Sequence, residues 1–427
     1  MIRVKKDKLT INSFIFIIFL FASMDLFQIK GLTFFFCFCV VLVFYVILKQ
    51  KKVYFIKDYL LNAIYIEIFI SGILSQLSNM PISYKKTAII MPVLSFSVYL
   101  VAAVVNSELK KNKTILECFL KAIKIVCYSQ FVYVLIQYVF FHFFSIDINK
   151  VIFVDVLKLV ENASFIRDWV WYPSGFTYHS AIIAPLMVVG FLFFNDPLLR
   201  FLIIIDSLIC GSSTAIIGVA LCFLFLFLSF VSHKRVLFDR PMAFFIGIGI
   251  IFILILSTST NLMSFLTGKI VHLFQRLLGS SKDASTSAHF SYYSMYPHVV
   301  SNSSFISTLF GFGYGCSGYS FSVLYNRTEL GNWAVESDVM DILYSRGIVG
   351  FVLFYSFLIR NCINGRKIDM RYLFISIVLI IQGFGYNIQW DYIFLIEILI
   401  FMCIKKNINI FKIAEDVRVF NRGIIRE

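Results

Sequence analysis

Long apolar runs recur along the whole chain, and they constrain its fold more than any other feature of the sequence. Most of them approach the roughly 20 residues that a helix needs to cross a bilayer. The runs are continuous instead of alternating, which excludes a transmembrane β-barrel. The sequence therefore predicts an all-α, polytopic integral membrane helical bundle. We place about twelve spans, at residues 11–29, 31–48, 59–77, 87–105, 119–144, 177–195, 198–212, 214–231, 241–257, 347–360, 372–387 and 389–404.

The overall composition agrees with a membrane protein. Of the 427 residues, 59% are hydrophobic and 15% are charged, whereas soluble proteins average about 45–50% and about 25%. A soluble domain has no interior large enough for this apolar surface, and the mean hydropathy is +0.86. Nine cysteines do not indicate a disulfide framework, because seven of them lie in or beside apolar runs.

The distribution of basic residues predicts the orientation. Arg3, Lys5, Lys6 and Lys8 precede the first span, which we interpret as a retained signal anchor with a cytoplasmic N-terminus. Alternating sides from there puts 25 of the 38 Lys and Arg residues inside and 11 outside. Basic residues collect on the cytoplasmic side of membrane proteins. This predicts a bacterial inner-membrane protein with both termini in the cytoplasm. Topology then accounts for the net charge of +14 without nucleic-acid binding, and acidic lipid is the expected partner of the inner clusters.

The spans divide the chain into three parts. Residues 1–257 form an N-terminal transmembrane region with an outer segment at 145–176. Residues 258–346 form a large periplasmic loop, which is aromatic and apolar enough to carry short helices on the membrane face. Residues 347–427 form the C-terminal transmembrane region and a cytoplasmic tail. Outer loops of this size are usually functional.

Three acidic residues fall inside predicted spans, where charge is costly. They are Glu67, Asp206 and Glu397. Interhelical hydrogen bonds or snorkelled ends are the favoured interpretation, and a proton relay is the alternative. No Lys or Arg falls near the middle of a predicted span, which makes a coupled transporter less attractive.

The outer segments carry a mixed set of charges that suits an anionic substrate with hydroxyl groups. Guanidinium groups hold phosphate oxygens in a fork, and carboxylates accept hydroxyl protons. The alternative is that these charges only keep the loops hydrated. No metal-binding motif or phosphate loop is present, so neither a metal nor a cofactor is predicted. The set comprises Arg167, His179, Arg276, Lys282, His289, His298, Arg327, Glu336, Asp338, Asp341 and Arg346.

Four segments of the chain together resemble the bacterial O-antigen polymerase family (Wzy) and, more distantly, the O-antigen ligases. We call them the PSGF segment (172–179, YPSGFTYH), the Ser-Thr segment (211–218, GSSTAIIG), the glycine loop (309–315, LFGFGYG) and the acidic segment (336–350, ESDVMDILYSRGIVG). Their order and spacing cover residues 165–360. In the ligases the acidic segment begins with His-Asn; Glu336 holds the place of that His here, which favours a polymerase.

The resemblance implies metal-independent glycosyl transfer at the periplasmic face. Undecaprenyl-pyrophosphate-linked oligosaccharides would be both donor and acceptor, with a chain-length co-polymerase and a flippase as further partners. On this basis we assign Glu336 as the proton acceptor, with His179 and His289 as second choices. Asp338 would position a sugar hydroxyl. The assigned pyrophosphate and saccharide ligands are Arg167, Arg276 and Arg346, and Arg327 and Tyr292 complete the set of substrate-binding residues.

The chain departs from the family pattern at two places. Tyr172 stands where an Arg often precedes Pro-Ser-Gly, and Arg167 lies five residues earlier. The long-loop helix lacks its usual Arg and leaves His289 or Arg276 as candidates. Two other functions remain open: a ligase, and a lipid-linked oligosaccharide flippase. A flippase would need polar groups at mid-membrane, related halves and short outer loops.

Overall fold

The structure is a computed structural model that describes residues 2–51, 54–109, 114–167, 170–233, 284–320, 335, 337–385 and 392–415. It is mostly helical. The only strands in this part of the chain are two short antiparallel hairpins, which pair Gln28–Ile29 (β1) with Leu32–Thr33 (β2) and Ile166–Arg167 (β3) with Val170–Trp171 (β4).

Helices follow the apolar runs of the sequence. In chain order they are α1 (Ile2–Leu20), α2 (Phe34–Gln50), α3 (Tyr59–Ser75), α4 (Ile82–Leu109), α5 (Thr114–Phe144), α6 (Ala184–Phe193), α7 (Pro197–Ile209), α8 (Ser213–His233), α9 (Ala284–Ser301), α10 (Phe305–Phe310), α11 (Asp338–Gly365), α12 (Met370–Gln382) and α13 (Tyr392–Lys405). A short π-helix covers Lys150–Val156, and a 3-10 turn covers Ser180–Ile183 immediately before α6.

Eleven of the twelve predicted windows contain a helix, and the window at 241–257 lies outside the described residues. The first window was drawn too long: α1 ends at Leu20, and the chain then turns into the hairpin of β1 and β2. In the described part of the chain, α4, α5 and α11 are long and apolar enough to cross a membrane. Shorter apolar helices accompany them. These features agree with a helical membrane protein, while the full set of twelve spans stays a prediction.

Helix α11 is the element around which the candidate site is built. It packs against α3, α10, α12 and α13. Helix α3 in turn packs on α4, and α12 packs on α6 and α8. Most of the buried apolar side chains form one continuous cluster through these helices. Polar residues that α11 carries on its buried face must therefore find partners on neighbouring helices.

The short connection before α12 is held by a charged side chain. Asp369 is the N-cap of α12, where its carboxylate accepts from the backbone N–H of Arg371 at 3.0 Å and from the guanidinium Nη2 at 2.8 Å. Asn409 donates to the same carboxylate at 3.0 Å. Burial acts to raise the pKa of Asp369, but the hydrogen bonds and charge of Arg371 outweigh it and hold the pKa below its usual range.

We expect Asp369→Asn to lower stability by about 1 kcal/mol at neutral pH, because asparagine keeps the cap but loses the charge-assisted hydrogen bonds. The contribution of a carboxylate with a depressed folded pKa is fully present above its unfolded pKa, about 3.9. It is lost as pH falls through the folded pKa. Melting temperatures of the detergent-solubilised protein should therefore converge for wild type and variant as the pH is lowered below about 4. Glu415→Gln is the control: Glu415 also pairs with Arg371, at 2.9 Å, but is 47% exposed. A gap between Asp369→Asn and wild type that persists at low pH would contradict this account.

Candidate functional site

Helix α11 is interrupted about two and a half turns after its acidic start. Gly347 has φ of +66° inside the helix, a conformation that other residues rarely adopt. The backbone carbonyls of Tyr344 and Ser345 instead accept hydrogen bonds from Phe312 N and Gly313 N, both at 2.9 Å. The glycine loop is thereby paired with the acidic segment, backbone to backbone.

The approach between these two segments depends on glycine. A Cβ at Gly347 would overlap the backbone carbonyl of Leu309, and a Cβ at Gly311 would overlap the peptide that joins Ser345 to Arg346. Both glycines have positive φ angles. The glycine spacing that the sequence carries at 309–315 therefore has a structural reason: the loop must lie directly against the break in α11.

We expect Gly347→Ala to destabilise the protein by about 2–5 kcal/mol, from backbone strain together with overpacking. Gly31→Ala is a matched control, since Gly31 has a φ of +83° but nothing within 4 Å of an added Cβ. That variant should lose only about 1–2 kcal/mol, from strain alone. Thermal unfolding in detergent measures both changes, and equal losses would show that the close approach at Gly347 does not matter.

A buried ion pair joins α11 to α3. The guanidinium of Arg346 donates through Nε to Glu67 Oε2 at 2.8 Å, and its Nη2 donates to the same oxygen. Arg346 is 1% exposed and Glu67 is 3% exposed. Beside the pair, Ser71 Oγ donates to the carbonyl of Ser345 at 2.9 Å. No Lys or Arg falls near the middle of a predicted span, yet Glu67 has a buried cationic partner, because Arg346 borders the span predicted at 347–360. Arg346 was placed at the end of a loop, whereas it lies inside a helix that extends nine residues before the predicted span.

Two carboxylates occupy the first turn of α11. Asp338 and Asp341 are both fully buried, where the partial positive charge of a helix N-terminus favours acidic groups. Ser317, just after the glycine loop, donates a hydrogen bond to Asp341. Tyr355 is 3.4 Å from Asp338 Oδ2, and Arg346 lies within electrostatic range of the same carboxylate. Acids and the buried arginine therefore form one polar cluster at the start of α11.

Tyrosines of α9 cover this cluster. Tyr293 Oη is 2.9 Å from Ser337 Oγ, the N-cap residue of α11. Burial raises the pKa of Tyr293 by more than the hydrogen bond with Ser337 lowers it, so the phenol stays protonated. Tyr344 donates to the carbonyl of Tyr292 at 2.7 Å, and its ring packs edge-on against Tyr296 at 5.6 Å. The helix predicted within the long outer loop thus lies directly against the acidic segment.

The Ser-Thr segment reaches the same place through α12. Gln382, at the end of α12, donates to the backbone carbonyl of Thr214 at 3.2 Å. The next residue, Gly383, accepts the backbone N–H of Asp338 at 2.6 Å. The 3-10 turn that follows the PSGF segment packs on α8, which begins within the Ser-Thr segment. The glycine loop, the acidic segment and the Ser-Thr segment therefore meet at the start of α11, and the PSGF segment is joined to the helix of the Ser-Thr segment through the 3-10 turn.

The PSGF segment itself is held by hydrogen bonds to side chains of earlier segments as well as by bonds within it. Gln137 Oε1 accepts from the N–H of Gly175 at 2.8 Å, and Asn149 Nδ2 donates to its carbonyl at 2.9 Å. His179 caps the 3-10 turn, because its Nδ1 accepts from Ala181 N at 3.0 Å. Its ring lies 4.0 Å from the ring of Phe165. A structural role for His179 is therefore visible, in addition to the substrate-binding role predicted from the sequence.

Several predicted site residues fall where the structure says little. Glu336, Arg276 and Arg327 lie outside the described residues. Arg167 lies in β3 and His289 lies in α9, and the structure describes only the backbone of these two residues. Asp338 and Arg346 lie in one cluster and Tyr292 adjoins it through Tyr344, while their roles in substrate binding stay predictions. Sequence reasoning missed Ser317, Tyr355 and the Gly347 break, since small polar residues and single glycines carry no signal of their own.

The other two acids inside predicted spans behave differently from Glu67. Glu397 accepts hydrogen bonds from Asn361 and Ser376, each at 3.3 Å, as the interhelical interpretation predicts. Asp206 is fully buried, and neither carboxylate oxygen has a hydrogen-bond partner among the described residues.

No family model matches this chain, and no curated protein matches it significantly. The arrangement of its own residues therefore carries the functional argument.

Proposed function

We propose that the chain is an O-antigen polymerase, a glycosyltransferase that joins undecaprenyl-pyrophosphate-linked oligosaccharide repeats at the periplasmic face of the bacterial inner membrane. The observation that supports the proposal is that three of the four resembling segments, which are separate in sequence, meet at the start of α11. The glycine loop bonds to the acidic segment, and the Ser-Thr segment reaches Asp338 through Gln382 and Gly383. If the separate segments resembled the family only by chance, there would be no reason for them to lie in contact.

The proposed reaction breaks the bond between the anomeric carbon of the donor saccharide and its pyrophosphate. A hydroxyl oxygen of the acceptor repeat forms the new bond to that carbon, and Glu336 takes the hydroxyl proton. The lipid pyrophosphate leaves with the electron pair, and cationic side chains stabilise the developing charge. The sequence predicts that Asp338 positions a sugar hydroxyl; because its carboxylate is fully buried at the start of α11, in this proposal it acts by fixing the helix start that follows Glu336.

The buried Arg346–Glu67 pair changes which cationic residues we propose to contact the pyrophosphate. Arg346 is neutralised by Glu67 and enclosed, so in this proposal it positions the acidic segment. Direct contact with pyrophosphate is left to Arg276, Arg167 and Arg327. The twelve-span topology with both termini in the cytoplasm belongs to the same proposal, because it puts the convergence of segments on the periplasmic side.

The decisive experiment deletes the gene in its own strain and separates the surface polysaccharide on a gel. Lipopolysaccharide that carries single repeats, restored to long chains by the wild-type gene, is expected for a polymerase. Core lacking any repeat would indicate a ligase, and accumulation of inward-facing carrier would indicate a flippase. Unchanged chain lengths would overturn the proposal.

A further inference from the structure

A polar cavity lies near the C-terminal end of α11, far from the candidate site at its start. Its volume is about 420 Å³, within the range of ligand pockets. Arg360 and Arg346 are separated by 14 residues of α11, which places them about 20 Å apart along the axis. The cavity is lined by Asp58, Arg360, Asn361, Asn364, Lys367, Ile368, Phe401, Ile404, Lys405 and Asn407.

Arg360 is held rigidly in this cavity. Its Nη1 and Nη2 donate to the two oxygens of Asp58, at 3.0 Å and 2.9 Å. The guanidinium also lies 4.7 Å from the ring centroid of Phe401. Asp58 is fixed in turn, because it caps α3 by accepting from Leu61 N at 2.9 Å. A guanidinium that is already oriented loses little freedom when it binds an anion.

The cavity has an excess of positive charge and unused hydrogen-bonding groups. Arg360, Lys367 and Lys405 face the single carboxylate of Asp58. Among the described residues, Arg360 Nε is buried without an acceptor, and Lys367 makes no ion pair. Asn361 is 1% exposed, and its Oδ1 has no donor in the same part of the chain. Buried polar groups normally have partners, so a donor and an acceptor left open beside a cavity indicate a ligand.

We infer that this cavity binds a phosphate ester with a free hydroxyl group, the chemistry of phosphoglycerol. The cations, which outnumber the single carboxylate, would take the phosphate oxygens, and the hydroxyl would donate to Asn361 Oδ1. Either an anionic phospholipid headgroup or soluble glycerol phosphate has this chemistry. A lipid source fits the adjacent surface, because Ile363 and Ile359, about one and two turns before Lys367, are 49% and 51% exposed. Basic pockets between membrane helices bind such headgroups. The inference does not depend on the proposed glycosyltransferase activity.

Lipid binding to the purified full-length protein in detergent, followed by native mass spectrometry, tests the inference. The probes are phosphatidylglycerol, phosphatidylethanol and sn-glycerol 3-phosphate. Phosphatidylethanol has the same charge as phosphatidylglycerol but lacks the hydroxyl. We expect phosphatidylglycerol to bind roughly 3- to 10-fold tighter than phosphatidylethanol, the effect of one hydrogen bond. Competition by glycerol 3-phosphate at concentrations similar to the lipid would identify a soluble source of the same chemistry, and its failure to compete would identify the lipid.

Two charge-reversal variants, one of a lysine that lines the cavity and one of a lysine that does not, form a matched pair. Lys367 is exposed, so Lys367→Glu should fold, and we expect it to weaken phosphatidylglycerol binding roughly tenfold. Lys412→Glu changes an exposed lysine that does not line the cavity, and it should bind as the wild type does. Equal effects of the two variants, or no effect of Lys367→Glu, would overturn the inference in favour of diffuse surface attraction. Equal binding of the two phospholipids would overturn the role of the hydroxyl.

Discussion

Glu67→Ala is expected to destabilise the protein by about 3–5 kcal/mol, because it leaves Arg346 buried without a counter-charge. The two side chains are almost completely enclosed, and Arg346 uses both Nε and Nη2 to reach Glu67. Thermal unfolding of the detergent-solubilised protein gives the stability difference.

The double variant Glu67→Leu with Arg346→Met separates the charge effect from packing. Apolar residues of similar volume often replace a buried ion pair with little loss, so we expect the double variant to be more stable than Glu67→Ala. Glu161→Ala, which removes an exposed carboxylate, should change stability by less than about 0.5 kcal/mol. A Glu67→Ala protein as stable as this control would show that the pair does not hold α3 to α11.

The pattern of apolar residues predicted the positions of the helices well, because the helices are built from the same apolar side chains that become buried. Windows such as 59–77 and 119–144 differ from α3 and α5 by a few residues at their ends. The error in the first window has a physical cause: six of the nine residues at 21–29 are apolar, but Lys30 and Gly31 have positive φ angles and turn the chain into a hairpin. Hydropathy alone does not detect such a turn.

The candidate site was predicted less completely. The acidic segment was recognised, and the structure places Asp338 and Asp341 in the first helical turn, three residues apart, as their spacing predicts. The partner of Arg346 was not predictable, because Glu67 is 279 residues away in sequence. A hydropathy window also ends at a charged residue, so Arg346 was assigned to a loop. The Gly347 break, which lets the glycine loop pair with α11, leaves no mark on hydropathy.

Because Arg346 is buried and paired, other cations of the site would have to contact the leaving pyrophosphate in the proposed reaction. A leaving pyrophosphate needs cations that can contact it, and a guanidinium already paired with Glu67 offers little charge to a ligand. The buried pair instead fixes the turn of α11 that precedes Gly347, and with it the direction of the acidic segment. In the proposed reaction, Glu336 just before α11 would then serve the acceptor, and arginines elsewhere in the outer segments would serve the leaving group.

Glu336→Gln is expected to reduce polymerisation by about 10²- to 10⁴-fold, because the amide cannot accept the proton of the attacking hydroxyl. The variant keeps the size and the hydrogen-bonding shape of the side chain, so expression and membrane insertion should be unchanged. In the deletion strain it should yield lipopolysaccharide with single repeats, measured on the same gel as the wild-type complement. Glu161→Gln makes the same replacement at an exposed position in the outer segment 145–176, and it should restore long chains. Long chains at normal yield from Glu336→Gln would remove Glu336 as the proton acceptor and leave His289 or His179 to be tested in that role.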